Sequence, residues 1–334
     1  SRVDLSGRSR TWSLFASDSI ALHEHWQLTV SARYNTTRMT LRDHLSPGGG
    51  AGSLDGDHRF SRLNPAAGLT FSPSPALTAY LGYNEGSRTP TAIELGCADP
   101  ANPCRLPNAM ASDPPLRQVV AKTWEAGARG QFSPHLHWQL GGFRADNHDD
   151  IQFVAASQTS TGYFKNVGRT RRQGLELGLN GDLGGLDWGL GYTYLDATYQ
   201  SAETVNGTAN SSQDGNGTLL IQPGHRMPLI PRHLFKLHAD YRLNGQWSLG
   251  MAMRAVGGSL ARGDENGQHH TDGVRYLGNG RSAGYAVWDL TGQYRATPQL
   301  TVSAQVSNVF DRRYTTAAQL GASGLTRSEE HTSE

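Results

Sequence analysis

No run of this chain approaches the roughly 18 consecutive apolar residues of a membrane-crossing helix, and hydrophobic residues make up only 37% of its 334 positions. A transmembrane helix is therefore excluded. A membrane barrel is not: its strands are apolar only at alternate positions, so a mean hydropathy as low as −0.52 is compatible with one. Net charge is scarce too. Thirty Lys and Arg stand against 29 Asp and Glu, leaving +1, which gives no electrostatic case for a nucleic-acid partner. Cysteine is nearly absent. Cys97 and Cys104 share one Pro-containing polar loop. That close spacing predicts a disulfide and an oxidising compartment, with free thiols as the alternative. No signal peptide is read: Ser1 follows no methionine and 1–10 is polar. The chain is therefore expected to be a mature form or a piece.

Catalytic patterns are missing as well. The closest histidine groups, His23/His25 and His269-His270, lack HExxH or CxxC spacing and read as exposed loop histidines. There is no G-x-S-x-G elbow. Ser46-Pro47-Gly48-Gly49-Gly50 lacks the Lys-Ser/Thr of a phosphate-binding loop and reads as a flexible loop tip. Asp214-Gly215-Asn216-Gly217 lacks the closing glutamate of a calcium loop and reads as a flexible turn. The expectation is a non-enzyme without cofactor or metal.

What the sequence does contain is alternation. Trp26, Leu28, Val30, Ala32 and Tyr34 oppose Gln27, Thr29, Ser31, Arg33 and Asn35. Leu175, Leu177 and Leu179 oppose Glu176, Gly178 and Asn180, and Leu300, Val302, Ala304 and Val306 oppose Thr301, Ser303, Gln305 and Ser307. Each is a strand with one dry face and one wet face. Read by parity, the strands are 11–22, 26–40, 60–71, 77–86, 120–132, 136–154, 163–183, 187–199, 232–243, 246–258, 283–296 and 299–313. Asp18 falls on the apolar parity of the first and has no explanation.

Connections of two kinds alternate. Short turns such as Pro134-His135, Gly184-Gly185 and Asn244-Gly245 suit tight reversals. Long polar segments, at 43–59, 87–119, 157–162, 201–231 and 261–282, lie between them. Short turns on one rim and long loops on the other mark an outer-membrane barrel. Aromatic position separates that from a soluble sandwich. Trp26, Phe71, Phe132, Trp138, Trp188, Trp247 and Tyr294 sit beside the short turns. Tyr34, Tyr83, Trp124, Tyr194, Phe235, Trp288 and Phe310 sit towards the long loops, with aliphatic residues and glycine between. Two aromatic rows around an aliphatic band fit membrane interfaces. A soluble core would centre its aromatics.

At this point the chain resembles the TonB-dependent outer-membrane receptors. The resemblance rests on Arg62-Leu63-Asn64-Pro65-Ala66-Ala67-Gly68-Leu69, Tyr83-Asn84-Glu85-Gly86-Ser87-Arg88-Thr89-Pro90 before Glu94-Leu95, and Thr123-Trp124-Glu125-Ala126-Gly127. It continues in Asn166-Val167-Gly168 before Gln173-Gly174-Leu175-Glu176, in Pro231-Arg232-His233, and in Asn308-Val309-Phe310-Asp311-Arg312-Arg313-Tyr314. It implies an all-β, antiparallel transmembrane barrel of about 22 strands, of which this chain would hold about 12, without the plug domain. It also implies import of a scarce ligand, most often a ferric siderophore, driven by TonB through the missing plug, with outer-membrane lipid around the wall. A passive porin or autotransporter-type barrel and a soluble β-rich carbohydrate-binding or hydrolytic protein are the alternatives. Residues 1–326 would be the partial barrel. Residues 327–334 look like translated sequencing-adapter sequence and are expected to be non-native.

The wet parity carries Arg33, Glu125, Arg129, Glu176, Lys236, Asp240, Arg242, Asp289 and Arg295, placed to meet a plug. In the outer loops, Arg88, Arg275, Tyr276 and Arg281 are candidate contacts for an anionic ligand, against the plainer reading of solvated loop residues.

Overall fold

The computed structural model describes residues 4–49, 53–97, 116–155, 162–207 and 209–321. The strands are β1 (Leu5–His23), β2 (Trp26–Asp43), β3 (Gly56–Ser74), β4 (Leu77–Arg88), β5 (Val119–Ser133), β6 (Leu136–Ala155), β7 (Gly162–Leu183) and β8 (Leu186–Tyr199). They continue as β9 (Glu203–Asn206), β10 (Thr218–Ile221), β11 (His233–Arg242), β12 (Trp247–Val256), β13 (Ser259–Leu260), β14 (Arg281–Ser282), β15 (Tyr285–Thr297) and β16 (Leu300–Val306). A single turn of helix, α1 (Ala92–Leu95), follows β4. Twelve of these strands form one antiparallel meander in the order β1-β2-β3-β4-β5-β6-β7-β8-β11-β12-β15-β16, with β1 and β16 at its two edges.

The registers keep the apolar parity together across the sheet. In the β4–β7 region Leu81 pairs Ala126, Ala126 pairs Gly142, and Gly142 pairs Leu175. Both aromatic rows form. Beside the short turns, Trp26 meets Phe71 at 4.5 Å, Phe132 meets Trp138 at 5.7 Å and Trp247 meets Tyr294 at 4.5 Å between ring centroids. Towards the long loops, Tyr83 meets Trp124 at 4.8 Å and Trp288 meets Phe310 at 6.4 Å. All six strand-to-strand turns of the short kind lie on one rim. At Gly184 and Gly185, φ of 56° and 92° supplies the reversal that only glycine adopts freely.

The mid-strand aliphatics are not covered by protein. Leu140 is 49% exposed and Leu175 55%, where a soluble sheet would bury them. The buried clusters lie instead at the long-loop rim. One joins Met39 and Leu41 of β2 with Leu95 of α1, Val119 of β5 and Ile151 of β6. The other packs Val205, Leu219 and Ile221 of the β9–β10 hairpin against Val154, Val167, Ala197, Tyr199 and Met227.

Three sequence readings need correction. First, the segments 87–119, 201–231 and 261–282 are not simple loops: they contain α1, the β9–β10 hairpin and β14, which pairs with β13. Second, the wet parity of β2 turns apolar beyond Thr37, because Met39 and Leu41 meet α1. Third, the last strand stops at Val306 rather than 313. Asn308 and Asp311 adopt φ of 49° and 47°, which ends an extended strand. The Asn308 carboxamide then closes the turn, accepting from Arg312 N at 2.9 Å and donating to its carbonyl at 3.1 Å. Phe310 still reaches the aromatic row, but from this turn. Asp18 pairs opposite Val30 and is exposed; nothing in the structure explains its place on the apolar face.

Candidate functional site

The long-loop rim holds two folded modules. In the first, Thr91 caps α1: its hydroxyl accepts from Glu94 N at 3.2 Å, and Glu94 Oε2 accepts from Thr91 N at 2.7 Å. The same carboxylate takes Arg88 Nη1 at 2.7 Å. Arg88 thus acts as a brace for this turn, and its charge is already matched. Cys97 is fully buried just beyond it, and its carbonyl accepts from Phe164 N at 2.6 Å. Cys104 lies outside the described residues, as do residues 322–334.

The second module joins the connections 200–232 and 257–284. Asn210, fully buried, donates to Gly263 O at 2.8 Å and to Asp264 Oδ1 at 3.3 Å. Ser211 N donates to His269 Nδ1 at 3.1 Å, and His270 N donates to Ser211 Oγ at 2.8 Å. Asn266 donates to Ser212 Oγ at 2.9 Å, and Gln213 to the Tyr276 hydroxyl at 2.8 Å. Two acid-capped turns set the geometry. Asp214 accepts from Thr218 N and Asn216 N, and Asp272 accepts from the backbone N–H groups of Tyr276, Val274 and Arg275. Those N–H groups, led by Thr218 and Tyr276 respectively, hold both carboxyls below the ordinary range. The Asp214 segment is therefore an ordered turn.

Tyr276 stands edge-on to His269 at 5.6 Å, and the Arg275 guanidinium lies 5.3 Å from the Tyr276 ring centroid. Arg281 is exposed on β14 opposite Leu260. The structure thus gathers Arg275, Tyr276 and Arg281 into one module and leaves Arg88 in the other.

Asp264 and Glu265 escaped the sequence reading. Both are buried, and burial raises both carboxyls above the ordinary range. Asp264 Oδ2 has no hydrogen-bond partner. An acidic pair between Gly263 and Gly267 reads as surface loop; only the non-local contact with Asn210 buries it. Among the described residues no group of three or more His, Cys, Asp or Glu is arranged to hold a metal.

On the polar face, Arg33 donates to Asn35 Oδ1 at 2.9 Å and Ser13 Oγ at 3.0 Å, and Asn84 donates to Glu125 at 3.3 Å. Asp289 accepts from Asn308 N at 2.8 Å. These charges line one continuous surface opposite the aromatic rows.

Long strands, apolar on one face between two aromatic rows and polar on the other, with tight turns at one rim and folded loops at the other, define the wall of a transmembrane β-barrel receptor. The chain belongs to the TonB-dependent receptor family, whose β-barrel model matches residues 2–309. This is a family of receptors and transporters, not enzymes. The chain is 26% identical over 322 residues to the probable TonB-dependent siderophore receptor PiuA of Acinetobacter baumannii, covering 95% of this chain and 39% of that protein. It is 26% identical over 258 residues to the ferric-pyoverdine M114 receptor PbuA of a Pseudomonas strain, covering 76% of this chain and 26% of that one. Among solved structures, the ferric-catecholate import receptor Fiu of Escherichia coli K12 in its closed form superposes with a TM-score of 0.67 at 18% identity, over 96% of this chain and 43% of Fiu. The crystal structure of PiuA also gives 0.67, at 20% identity, over 98% of this chain and 42% of PiuA. The chain thus spans about two fifths of the length of PiuA and Fiu.

Proposed function

We propose that this chain is part of the barrel of an outer-membrane receptor that imports a ferric siderophore at the expense of energy delivered through TonB. The observation that carries this reading is the second loop module. Two long connections lock together at the rim and expose Arg275 and Arg281, with the half-buried Tyr276 ring beside Arg275, a cationic and aromatic surface suited to an anionic chelate. The similarity to PiuA and PbuA supports the ligand class. The polar wall, with Glu125, Arg129, Glu176, Lys236, Asp240, Arg242 and Arg295, is suited to meet a plug domain on which TonB would act. Arg88 serves the ligand indirectly, by fixing α1 through Glu94. Cys97 and Cys104, seven positions apart in sequence, pair as a disulfide in this reading. Residues 1–326 constitute the barrel portion and 327–334 an adapter-derived tail.

The test is siderophore-dependent growth and radiolabelled-iron uptake in a Gram-negative host stripped of its own receptors, with and without TonB. Uptake of at least one ferric siderophore that disappears without TonB is expected. Uptake that persists without TonB would replace this reading with a passive barrel. Recovery of the protein in the soluble periplasm would remove the membrane placement altogether.

A further inference from the structure

The apolar face changes character abruptly where β4 to β7 approach the outer rim. One cross-strand row is Leu81, Ala126, Gly142 and Leu175. Two residues further out it becomes Tyr83, Trp124, Arg144 and Gln173, and two further Glu85, Lys122, Asp146 and Arg171. With a rise of about 3.3 Å per residue, the surface passes from aliphatic to densely charged within about 13 Å along the strand.

A groove of about 480 Å³ lies across this boundary. Ala126 and Gly142 form its floor, Trp124, Leu175 and Tyr194 its walls, and Arg144 its outer lip. The groove exists because Gly142 has no side chain: a Cβ there would sit 3.3 Å from Leu175 Cδ2.

The charges above the groove are unbalanced. Arg144 Nε and Arg171 Nε both donate to Asp146, at 2.9 and 2.7 Å. Lys122 Nζ lies 3.9 Å from Glu85 Oε1, and Arg62 already pairs with the other Glu85 oxygen. Four cations therefore share two carboxylates. Arg144 and Arg171 spend only their Nε groups on Asp146, which leaves their terminal nitrogens to form forked contacts with a phosphate.

We propose that this groove binds a phosphate-bearing membrane lipid, one acyl chain on the Ala126–Gly142 floor and the phosphate on Arg144, Lys122 and Arg171. Charge complementarity selects this occupant. A soluble ligand has no reason to use the apolar face, and a second copy would have to bring its own anions to the same row. The proposal rests on the membrane placement argued above.

The test uses the receptor extracted from membranes and reconstituted in phosphatidylcholine nanodiscs. Either phosphatidic acid or additional phosphatidylcholine carries brominated chains, and Trp124 quenching is read as the difference between the native protein and Trp124→Phe. The brominated phosphatidic acid is expected to quench at a lower mole fraction. Lys122→Gln and Arg144→Gln should each weaken that preference roughly fivefold, and Arg144→Lys should keep most of it. Equal quenching by the two lipids, or a preference untouched by both Gln variants, overturns the proposal. So does protection of Trp124 by a cross-linked second copy regardless of lipid. The two-lipid comparison on the unsubstituted protein stands even where a variant fails to fold. A protein that inserts in membranes but shows no lipid preference refutes the groove alone; one that fractionates as soluble refutes the placement beneath it.

Discussion

Leu140 and Leu219 are both leucines in β-strands. Leu140, one step from Trp138 on the apolar face of β6, is 49% exposed; Leu219, in β10, is sealed at 1%. The contrast extends to the regions around them. The wall owes its order to inter-strand hydrogen bonds; the β6–β7 register holds along a 22-residue strand, skipping only Asp149–Gly168, while its apolar face is left uncovered by protein. The rim owes its order to protein cores of its own, built from short elements and loops. Burial is the dominant stabiliser of the rim and only a matter of solvent matching for the wall. Change of the same chemical kind should therefore have opposite consequences in the two places.

The strongest break of that comparison is Leu219→Ala. Removing a fully buried side chain is expected to cost about 2–5 kcal/mol, local to the second module. Hydrogen exchange should speed up at 203–221 and 262–270 while amides of 136–142 stay protected; uniform loss would mean that wall and rim fold as one. Next comes Leu140, where the substitution itself decides. Leu140→Ala should change little, since lipid fills the space. Leu140→Arg should cost about 2–4 kcal/mol towards mid-bilayer, read by urea unfolding from lipid vesicles. Equal tolerance of Ala and Arg would contradict a lipid-facing position.

A gentler probe is pH. Burial raises the Asp264 and Glu265 carboxyls above their ordinary values of 3.8 and 4.5. The closed module therefore holds protons that the opened one releases. Its stability is full below the ordinary values and declines as pH rises through the raised ones. Exchange protection at Asn210, Ser211 and His269 should fall from acidic to neutral pH, and Asp264→Asn with Glu265→Gln should flatten the dependence. An unchanged slope in that double variant would assign the titration elsewhere. The smallest effect is expected at α1. Thr91→Ala removes one cap and should cost about 1 kcal/mol, seen as faster exchange at 94–97 with the second module untouched.

How much of this was legible in the sequence follows the same division. Wall strands announce themselves because one face must be apolar at every second residue, so Trp26 to Tyr34 or Leu175 to Leu179 suffices to place them. The aromatic rows were legible for the same reason, interface chemistry being local. The rim was not. Nothing near Met39 and Leu41 says that Leu95 will cover them, and nothing in Gly263-Asp264-Glu265 foretells burial against Asn210. Nothing in the sequence sets Gly142 apart from the other glycines among the chain's 40; its meaning as a groove floor depends on Leu175 and Trp124 from neighbouring strands. Arg88 shows the converse: the sequence leaves its charge unassigned, and only the turn of α1 brings Glu94 to it. The early end of β16 depended on Asn308 taking a positive φ, a choice stabilised by Arg312 and by Asp289 across the ladder.

The pairing of Asn210 with Asp264, of Ser211 with His269 and of Gln213 with Tyr276 ties together segments more than fifty residues apart in sequence. Such ties make one mechanical unit of two connections that the sequence keeps apart. Strain applied to either is shared by the other, so cutting one tie should loosen both connections together rather than free a single loop.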